Sequence, residues 1–216
     1  MLRKSFHQKL DQLHVSLLEM GSFVEKVIQL SIEGLEKQDV EKSEEAIKLD
    51  DKVDEIELEI EKQCLELLAL QTPVAIDLRK ISTILKMITD LERIADYGVN
   101  IAFDTKRMGS KSFIKPLEDI PKMADITKTM VRRSLDSFVK EDPNLAQEVA
   151  EMDDIVDDLY HKTYDELVSM LGKDEENTKQ IVHLLFISRH LERMADHATN
   201  LCERIVYMTT SERMEF

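Results

Sequence analysis

Two parts of this 216-residue chain carry nearly the same ten residues. Leu91–Asn100 reads LERIADYGVN and Leu191–Asn200 reads LERMADHATN, so six of the ten residues are identical at an offset of 100. The aspartates that also recur, at an offset of 103, are Asp50 and Asp54 in the first part and Asp153 and Asp157 in the second. A duplicated sequence is expected to fold into two similar units. The chain is therefore predicted to consist of two repeats, residues 1–110 and 111–216.

Each repeat is predicted to be helical. The chain has only five Gly and four Pro, and apolar residues recur every three or four positions. The cap signals Asp39, Thr72–Pro73 and Asp142–Pro143 begin helices, and Gly172 ends one. The six predicted helices span about residues 5–38, 39–70, 72–108, 123–140, 142–172 and 174–209, with a linker at 111–121. The expected fold is all-α, with two tandem antiparallel three-helix bundles joined head to tail.

The first predicted helix carries a seam of apolar residues spaced by three and four, as in a coiled coil. The seam consists of Leu10, Leu13, Leu17, Met20, Val24 and Val27. Two arrangements would bury it, namely packing inside its own bundle or pairing with a second copy of the chain. A homodimer is the expected assembly, although the seam alone leaves both arrangements open.

The composition excludes several classes of partner. A net charge of −15 disfavours a nucleic-acid surface and docking on anionic lipid, because both need basic residues. The sequence has no run of about 18 apolar residues that could span a bilayer, and its first residues do not read as a signal peptide. Cys64 and Cys202 are too few for a disulfide framework and are predicted to be small core residues. We therefore expect a cytoplasmic protein that binds cations or basic protein partners.

Acidic residues in each repeat are spaced for one face of a helical hairpin. Glu92, Asp96 and Asn100 lie four apart, so they stack along one face of a helix. Counting outward from the short turn before that helix places each acid within about 3 Å in height of an acid on the preceding helix. Four carboxylates at one level repel one another unless they are protonated, paired with arginine or holding cations. A solvated acidic face is the alternative interpretation.

The spacing thus predicts two metal centres built from oxygen ligands, a donor set that suits Mg²⁺, Mn²⁺ or ferric iron. The predicted metal ligands are Asp50, Asp54, Glu92 and Asp96 in the first repeat and Asp153, Asp157, Glu192 and Asp196 in the second. Asn100 and Asn200 are either outer ligands or partners in hydrogen bonds between helices. Arg93 and Arg193 are expected to pair with neighbouring acids and to set their rotamers.

The remaining polar residues carry no enzymatic signature. The histidines of the second repeat, predicted to be surface or packing residues, are His161, His183, His190 and His197. Asp51 and Asp154 are predicted to face solvent. The sequence has no glycine-rich phosphate loop, nucleophile elbow or Cys-x-x-Cys pair. A di-iron carboxylate oxidase needs Glu-x-x-His on two helices, and the nearest match is Asp158 with His161. The protein is predicted not to be an enzyme.

The doubled acidic motifs resemble those of the PhoU family of phosphate-signalling regulators. That family has two three-helix bundle repeats, each with an Asp/Glu-x-x-x-Asp pair on one helix and Glu-Arg-x-x-Asp-x-x-x-Asn on the next. The matching residues are Asp50, Asp54, Glu92, Asp96 and Asn100 in the first repeat and Asp153, Asp157, Glu192, Asp196 and Asn200 in the second. The similarity extends over nearly the whole chain, and all eight acidic positions agree with the family pattern.

The resemblance implies a function as well as a fold. By resemblance, the acids would bind multinuclear clusters of iron or zinc at the protein surface. The protein would be a cytoplasmic regulator that links the ATPase subunit of the phosphate ABC transporter to the sensor histidine kinase and represses the phosphate regulon. Two alternatives are an accessory protein of a low-affinity phosphate permease and a metal-free helical scaffold.

Overall fold

The structure, a computed structural model, describes residues 2–70, 73–172 and 175–216. These residues form seven α-helices and no β-strand, so the predicted all-α fold is confirmed. In chain order the helices are α1 (Leu2–Lys37), α2 (Val40–Leu70), α3 (Ala75–Met108), α4 (Asp119–Lys140), α5 (Pro143–Ala150), α6 (Asp153–Ser169) and α7 (Glu175–Thr210). Among the helices described, none combines the length and the apolar character that a membrane span requires.

Aspartate side chains begin two of the helices as the sequence predicts. Asp39 Oδ1 accepts hydrogen bonds from two backbone N–H groups in the first turn of α2, at 2.9 and 3.2 Å. Asp142 Oδ1 does the same in the first turn of α5, at 3.0 and 3.2 Å. These bonds satisfy N–H groups that have no partner within the helix.

Two predicted helix starts differ from the structure. α3 begins at Ala75 and not at Pro73, because Val74 holds an extended backbone with φ −75° and ψ 164°. Thr72, the predicted cap, lies outside the described residues. α4 begins at Asp119, earlier than predicted, and it accommodates Pro121 in its first turn, where a missing N–H costs no hydrogen bond.

The fifth predicted helix, residues 142–172, is interrupted. α5 ends at Ala150 and α6 begins at Asp153, and the turn between them is closed by tight bonds such as Met152 N–H to Val149 O at 3.1 Å. The break contains neither Gly nor Pro, so no local breaker could announce it. Instead, Arg133 of α4 contacts Met152 Sδ at 3.7 Å, which ties the turn to α4. As a result Asp153, a predicted metal ligand, occupies the first position of α6.

The two repeats pack side by side around one hydrophobic core. α1, α2 and α3 contact one another, while α4, α5 and α6 each contact α7. Contacts between the repeats are made by α3 with α7 and by α1 with α4. The predicted boundary between residues 110 and 111 falls in the segment between α3 and α4. The apolar seam of α1 is buried inside the common core, so it packs within the chain.

Cys64 and Cys202 are free thiols buried in this core, as predicted. Burial raises the pKa of each thiol to about 12. Since the thiolate is the reactive form, both thiols are expected to be unreactive in the folded protein.

Candidate metal centres

The eight predicted metal ligands lie in two clusters, one in each helical hairpin. The first cluster consists of Asp50 and Asp54 on α2 with Glu92 and Asp96 on α3. The second cluster consists of Asp153 and Asp157 on α6 with Glu192 and Asp196 on α7. Asp54 is exposed, most of the others are partly buried, and Glu192 is only 8% exposed. In each cluster the acids of one helix interact electrostatically with those of the other, so the structure brings each predicted set of four together.

Burial and mutual repulsion raise the pKa values of three carboxyls in the first cluster, those of Asp50, Asp54 and Glu92. Burial raises the pKa of Asp50 to about 6, and Asp54 and Asp96 add to the shift. Burial raises the pKa of Glu92 to about 7, with Asp96 adding to the shift and Arg93 opposing it. The pKa of Asp54 is raised by burial and then by Asp96. Asp50 and Glu92 therefore keep their protons to a higher pH than ordinary carboxyls do, and a bound cation would displace them.

The second cluster has the same electrostatic character. Burial raises the pKa of Asp153 to about 7, and Asp157 and Asp196 add to the shift. Burial also raises the pKa of Glu192 to about 7, with Asp196 adding to the shift and Arg189 opposing it. The pKa values of Asp157 and Asp196 are likewise raised by burial. The second repeat thus also contains a group of partly buried carboxyls with raised pKa values.

Arginine side chains hold one acid of each cluster from the same helix. Arg93 Nη1 donates to Asp96 Oδ2 at 2.8 Å, and Arg193 Nη1 donates to Asp196 Oδ2 at 2.6 Å. The pairing predicted for these two arginines is confirmed. Each pair joins residues three apart on one helix, so it fixes the aspartate rotamer without linking the two helices.

Several buried carboxylate oxygens in the clusters have no hydrogen-bond partner. Among the described residues these are Asp50 Oδ1 in the first cluster and Asp153 Oδ1 and Glu192 Oε2 in the second. An unsatisfied buried oxygen is costly, and a coordinated cation is one way to satisfy it. The donor set, all oxygen and rich in carboxylate, suits a hard cation. The residues present therefore fit metal ions chemically.

The ligand geometry is not preformed. Within the part of the chain that the structure describes, no three His, Cys, Asp or Glu side chains are placed so that they could hold one metal ion. The arginine bonds give a reason, because they turn the carboxylates of Asp96 and Asp196 toward Arg93 and Arg193. A metal ion held by either set of four acids would require Asp96 or Asp196 to be released from its arginine.

The two clusters differ in their surrounding charges. Glu57 on α2 adds a fifth acid to the first cluster, and its pKa is raised by burial and by Asp54. The position that matches Glu57 in the second repeat is Tyr160, whose ring lies 5.5 Å from the guanidinium of Arg189. Arg189 also donates to Glu192 at 2.6 Å. The first cluster thus combines five acids with one arginine, whereas the second combines four acids with two arginines.

The two asparagines of the motifs differ in placement. Asn200 Nδ2 lies 3.5 Å from Asp90 Oδ1 on α3, which is the bond between helices that the sequence left open as one of two alternatives. Asn100 is exposed. Asp51 and Asp154 are exposed too, in agreement with the prediction.

A polar contact between the repeats was not anticipated from the sequence. Asp90 on α3, only 5% exposed, accepts a hydrogen bond from Arg204 Nε at 2.7 Å and contacts His197 Nδ1 at 3.0 Å. Asp104, 6% exposed, contacts His183 Nδ1 at 3.0 Å and lies 3.5 Å from His190 Nε2. Each of these buried acids thus has basic side chains of α7 as partners across the α3–α7 interface, and the order of the contacts shows that the two helices run antiparallel.

The residues of this α3–α7 polar stripe recur every seven positions. The stripe consists of Asp90, Tyr97 and Asp104 on α3 with His183, His190, His197 and Arg204 on α7. The ring of Tyr97 lies 5.7 Å from that of His190 and 5.9 Å from that of His197. At the repeat offset of 100, Asp90 matches His190 and Asp104 matches Arg204. A search for opposite charges at matched positions would have found the stripe, whereas a search for identical residues could not.

With the two clusters described, the comparison with known proteins identifies the family. The sequence profile of the PhoU domain matches the chain twice, over residues 17–105 and 120–205. This chain belongs to the PhoU family. The two matched segments contain all eight acids of the clusters, so the resemblance suggested by the motifs is confirmed.

PhoU relatives and PhoU structures match nearly the whole chain. The phosphate-specific transport system accessory protein PhoU homolog of Clostridium acetobutylicum is 40% identical over 216 residues, which cover 100% of this chain and 99% of the relative. The protein of that name in Aquifex aeolicus is 40% identical over 205 residues, which cover 95% and 93%. The crystal structure of PhoU from Pseudomonas aeruginosa has a TM-score of 0.92 and 29% identity, covering 96% of this chain and 100% of that one. The phosphate transport system regulatory protein PhoU from Streptococcus pneumoniae has a TM-score of 0.90 and 30% identity, covering 98% and 100%.

Proposed function

We propose that this protein is a metal-binding accessory protein of a phosphate-specific transport system. Relatives that match it over nearly their full length carry that name, which supports the link to phosphate transport. In the chain itself, the proposal rests on one observation. Each carboxylate cluster contains a buried oxygen that has no hydrogen-bond partner among the described residues. A cation would satisfy these oxygens and relieve the repulsion between the carboxylates.

Before they can bind a metal ion, some of the acids must lose a proton and others must lose an arginine partner. Asp50 and Glu92 in the first cluster, with raised pKa values, would release their protons and become ligands. Asp96 would turn away from Arg93 toward the other carboxylates, and the second cluster would act in the same way. A bound metal would supply the positive charge that holds the two helices of a hairpin together. The proposed metals are multinuclear iron or zinc, or else Mg²⁺ or Mn²⁺.

The proposed role is that of an adaptor without catalytic activity. Each hairpin, once its charges are neutralised, presents a defined surface to protein partners in the cytoplasm. The proposed partners are the ATPase subunit of the phosphate ABC transporter and the sensor histidine kinase, and the protein is proposed to act as a homodimer. The excess of acids, with a net charge of −15, supports partners with basic surfaces. When phosphate is plentiful, the adaptor restrains uptake and keeps the kinase in its repressing state.

The test pairs one substitution from each cluster. Asp96→Ala with Asp196→Ala is expected to lower bound metal and to weaken binding to the ATPase subunit, while circular dichroism shows unchanged helicity. The matched control is Asp51→Asn with Asp154→Asn, because these acids are exposed neighbours that recur at the same repeat offset. Unchanged metal content in the Asp96/Asp196 variant, or an equal loss in the control, would count against the proposal.

A metal-free docking face is the second candidate. It is favoured by the arginine pairing of Asp96 and Asp196 and by the lack of a preformed ligand group in the described residues. In that case the protein purified without chelator contains no stoichiometric metal, and partner binding weakens steeply with salt concentration. Binding that depends on added metal and changes little with salt would exclude this candidate.

A further inference from the structure

An exposed apolar face lies on the outer side of the α6–α7 hairpin. Its residues are between 38% and 53% exposed, and two of them are aromatic. The apolar face consists of Tyr164, Val168 and Leu171, in and just after α6, with Val182 and Phe186 on α7. Single apolar residues are normal on a protein surface, whereas several on adjoining helices form a patch that marks an interaction site.

The residues of the apolar face form two rows that adjoin. Within each row they are three or four positions apart, so they lie along one side of the chain's helical path. The ring of Tyr160, one turn before Tyr164, lies 6.2 Å from the ring of Tyr164 and 5.5 Å from the guanidinium of Arg189. Arg189 lies three residues after Phe186 on α7, so this contact joins the row of α6 to the row of α7.

The first hairpin has a different surface at the matched positions. At the repeat offsets of 103 and 100, Leu65 and Leu68 are apolar in both hairpins. The other three positions, which hold Tyr164, Val182 and Phe186 in the second hairpin, hold Glu61, Ser82 and Lys86 in the first, and all three are exposed there. Both hairpins have the same fold, so the fold does not require aromatic residues at this surface. The difference indicates a role that belongs to the second repeat.

Acidic residues border the apolar face on α6. This helix contains six acids and one lysine among its 17 residues. The lysine, Lys162, lies on the far side of the helix from Tyr164 and pairs with Asp119 at 2.8 Å. Asp158 and Asp165 are exposed and form no ion pair with any described residue. The α6 side of the face is therefore negatively charged.

The basic residues of α7 near the face offset little of this charge. Arg189 and Arg193 each donate to an acid of the second cluster at 2.6 Å. Lys179, three residues before Val182, borders the face at the end nearest the turn. The negative charge thus extends along α6 from the second cluster, and it would attract a partner with basic residues.

We propose that the apolar face docks an amphipathic helix of another protein, with apolar side chains three and four residues apart and lysine or arginine beside them. Two adjoining helices that each expose an apolar row can pack a third helix between them. Tyr164 and Phe186 would be the main anchors, because aromatic residues dominate the binding energy of such interfaces. Basic residues of the docked helix would meet Asp158 and Asp165, whereas an acidic helix would be repelled.

A second copy of the chain is a poorer occupant. Pairing two apolar faces would bring the acids of one α6 near those of the other, in a protein with a net charge of −15. The proposal rests on the adaptor function proposed above for the existence of a protein partner, and it adds the surface and the chemistry of that partner. It does not require metal in the second cluster, because Asp158 and Asp165 lie outside that cluster.

The experiment selects peptides from a phage-displayed library of random sequences of about 16 residues, roughly four helical turns, on the metal-free full-length protein. Enriched peptides are synthesised, and their affinity is measured by fluorescence anisotropy. Tyr164→Gln with Phe186→Gln is expected to weaken binding roughly tenfold or more, because both anchors are lost while helix propensity is kept.

The matched control is Phe103→Gln with Tyr207→Gln, which removes one exposed phenylalanine and one exposed tyrosine elsewhere on α3 and α7. This control is expected to change the affinity by less than about twofold. Circular dichroism checks that both variants remain folded. Sedimentation velocity of wild type and of both variants measures self-association.

Enriched peptides with net positive charge and helical apolar spacing, whose binding is lost only in the Tyr164/Phe186 variant, support the proposal. Absence of enrichment, enrichment of acidic peptides or of peptides without that spacing, or an equal loss in both variants overturns it. Self-association of wild type that is lost only in the Tyr164/Phe186 variant also overturns it, since a second copy then covers the face. The peptides are selected on metal-free protein, so a failure here leaves the metal content and the adaptor function of the clusters to be judged by their own test.

Discussion

Replacing the most strongly perturbed aspartate of each cluster by its neutral isostere is predicted to stabilise the metal-free protein. The change is Asp50→Asn together with Asp153→Asn. Both carboxyls are partly buried beside other acids, so ionisation is more costly in the folded chain than in the unfolded chain. Asparagine keeps the shape of the side chain and removes the charge. A substitution at a predicted ligand would thus stabilise the protein whenever metal is absent.

Because the pKa values of Asp50 and Asp153 are raised in the folded state, the stability of the metal-free protein is expected to fall as the pH rises. A carboxyl whose pKa is higher in the folded state contributes stability that is fully present below its unfolded pKa and is lost as the pH rises through its folded pKa. The folded pKa values are about 6 for Asp50 and about 7 for Asp153, and the ordinary value for both is 3.8. Metal-free wild-type protein therefore loses stability from roughly pH 4 to pH 8, and the double variant loses less.

The magnitude follows from the two shifts. Raising a pKa from 3.8 to about 6 corresponds to about 3 kcal/mol above pH 6, and raising it to about 7 corresponds to about 4 kcal/mol. Both carboxyls remain partly exposed, so solvent screening reduces the sum to about 3 kcal/mol. For a chain of this length, that free energy corresponds to an increase in Tm of about 6–12 °C.

The assay is thermal unfolding of metal-free protein at pH 5 and pH 8, followed by circular dichroism. The double variant is expected to have the higher Tm at pH 8. At pH 5 its advantage over wild type should be roughly halved, because the carboxyls are still protonated in the folded state but ionised in the unfolded chain. Asp51→Asn with Asp154→Asn is the control, since these exposed acids should change stability by less than about 0.5 kcal/mol. An unchanged or lower Tm for Asp50→Asn/Asp153→Asn at pH 8 would refute the electrostatic account of the clusters.

Three further predictions concern other parts of the molecule. Asp90→Ala should lower the free energy of unfolding in urea by about 2–4 kcal/mol, because it removes the buried carboxylate that pairs with the partly buried Arg204 and His197. A loss below about 0.5 kcal/mol would contradict this role of the stripe. Arg189→Ala should tighten metal binding at the second cluster about three- to tenfold, and Glu57→Gln should weaken metal binding at the first cluster by a similar factor. Both affinities can be measured in competition titrations with a chromogenic chelator. Changes of the opposite sign would contradict the conclusion that surrounding charges set the metal affinity of the two clusters. Cys64 and Cys202 should react with a thiol reagent only when the protein unfolds, so rapid labelling of the native protein would contradict their burial.

Much of the fold follows from local signals in the sequence. Asp39 and Asp142 carry a side-chain oxygen at the positions where α2 and α5 need a cap, and the structure uses both. The break between α5 and α6 has no such signal, because it contains neither Gly nor Pro; its Met152 contacts Arg133 on α4. Local propensity cannot reveal an interruption that depends on tertiary packing.

For the candidate metal centres too, the sequence predicts what depends on local spacing and misses what depends on tertiary packing. Spacing within each helix and the short turns of the hairpins suffice to bring Asp50 near Asp96 and Asp54 near Glu92. The partners of Asp90 and Asp104 lie in the other repeat, and they were missed because the interface pairs acids with bases and does not repeat one residue type. The pairing of Arg93 with a neighbouring acid, in contrast, was predicted from the sequence, because residues three apart meet on one face of a helix.

The most direct test of the central claim is the metal content of protein purified without added metal or chelator, measured by plasma mass spectrometry. Wild type is compared with the variant that carries Glu92→Ala, Asp96→Ala, Glu192→Ala and Asp196→Ala. The account predicts several metal ions per wild-type chain and their loss in the variant, with helicity unchanged. Wild-type protein without stoichiometric metal, or a folded variant with the same metal content, would contradict the account.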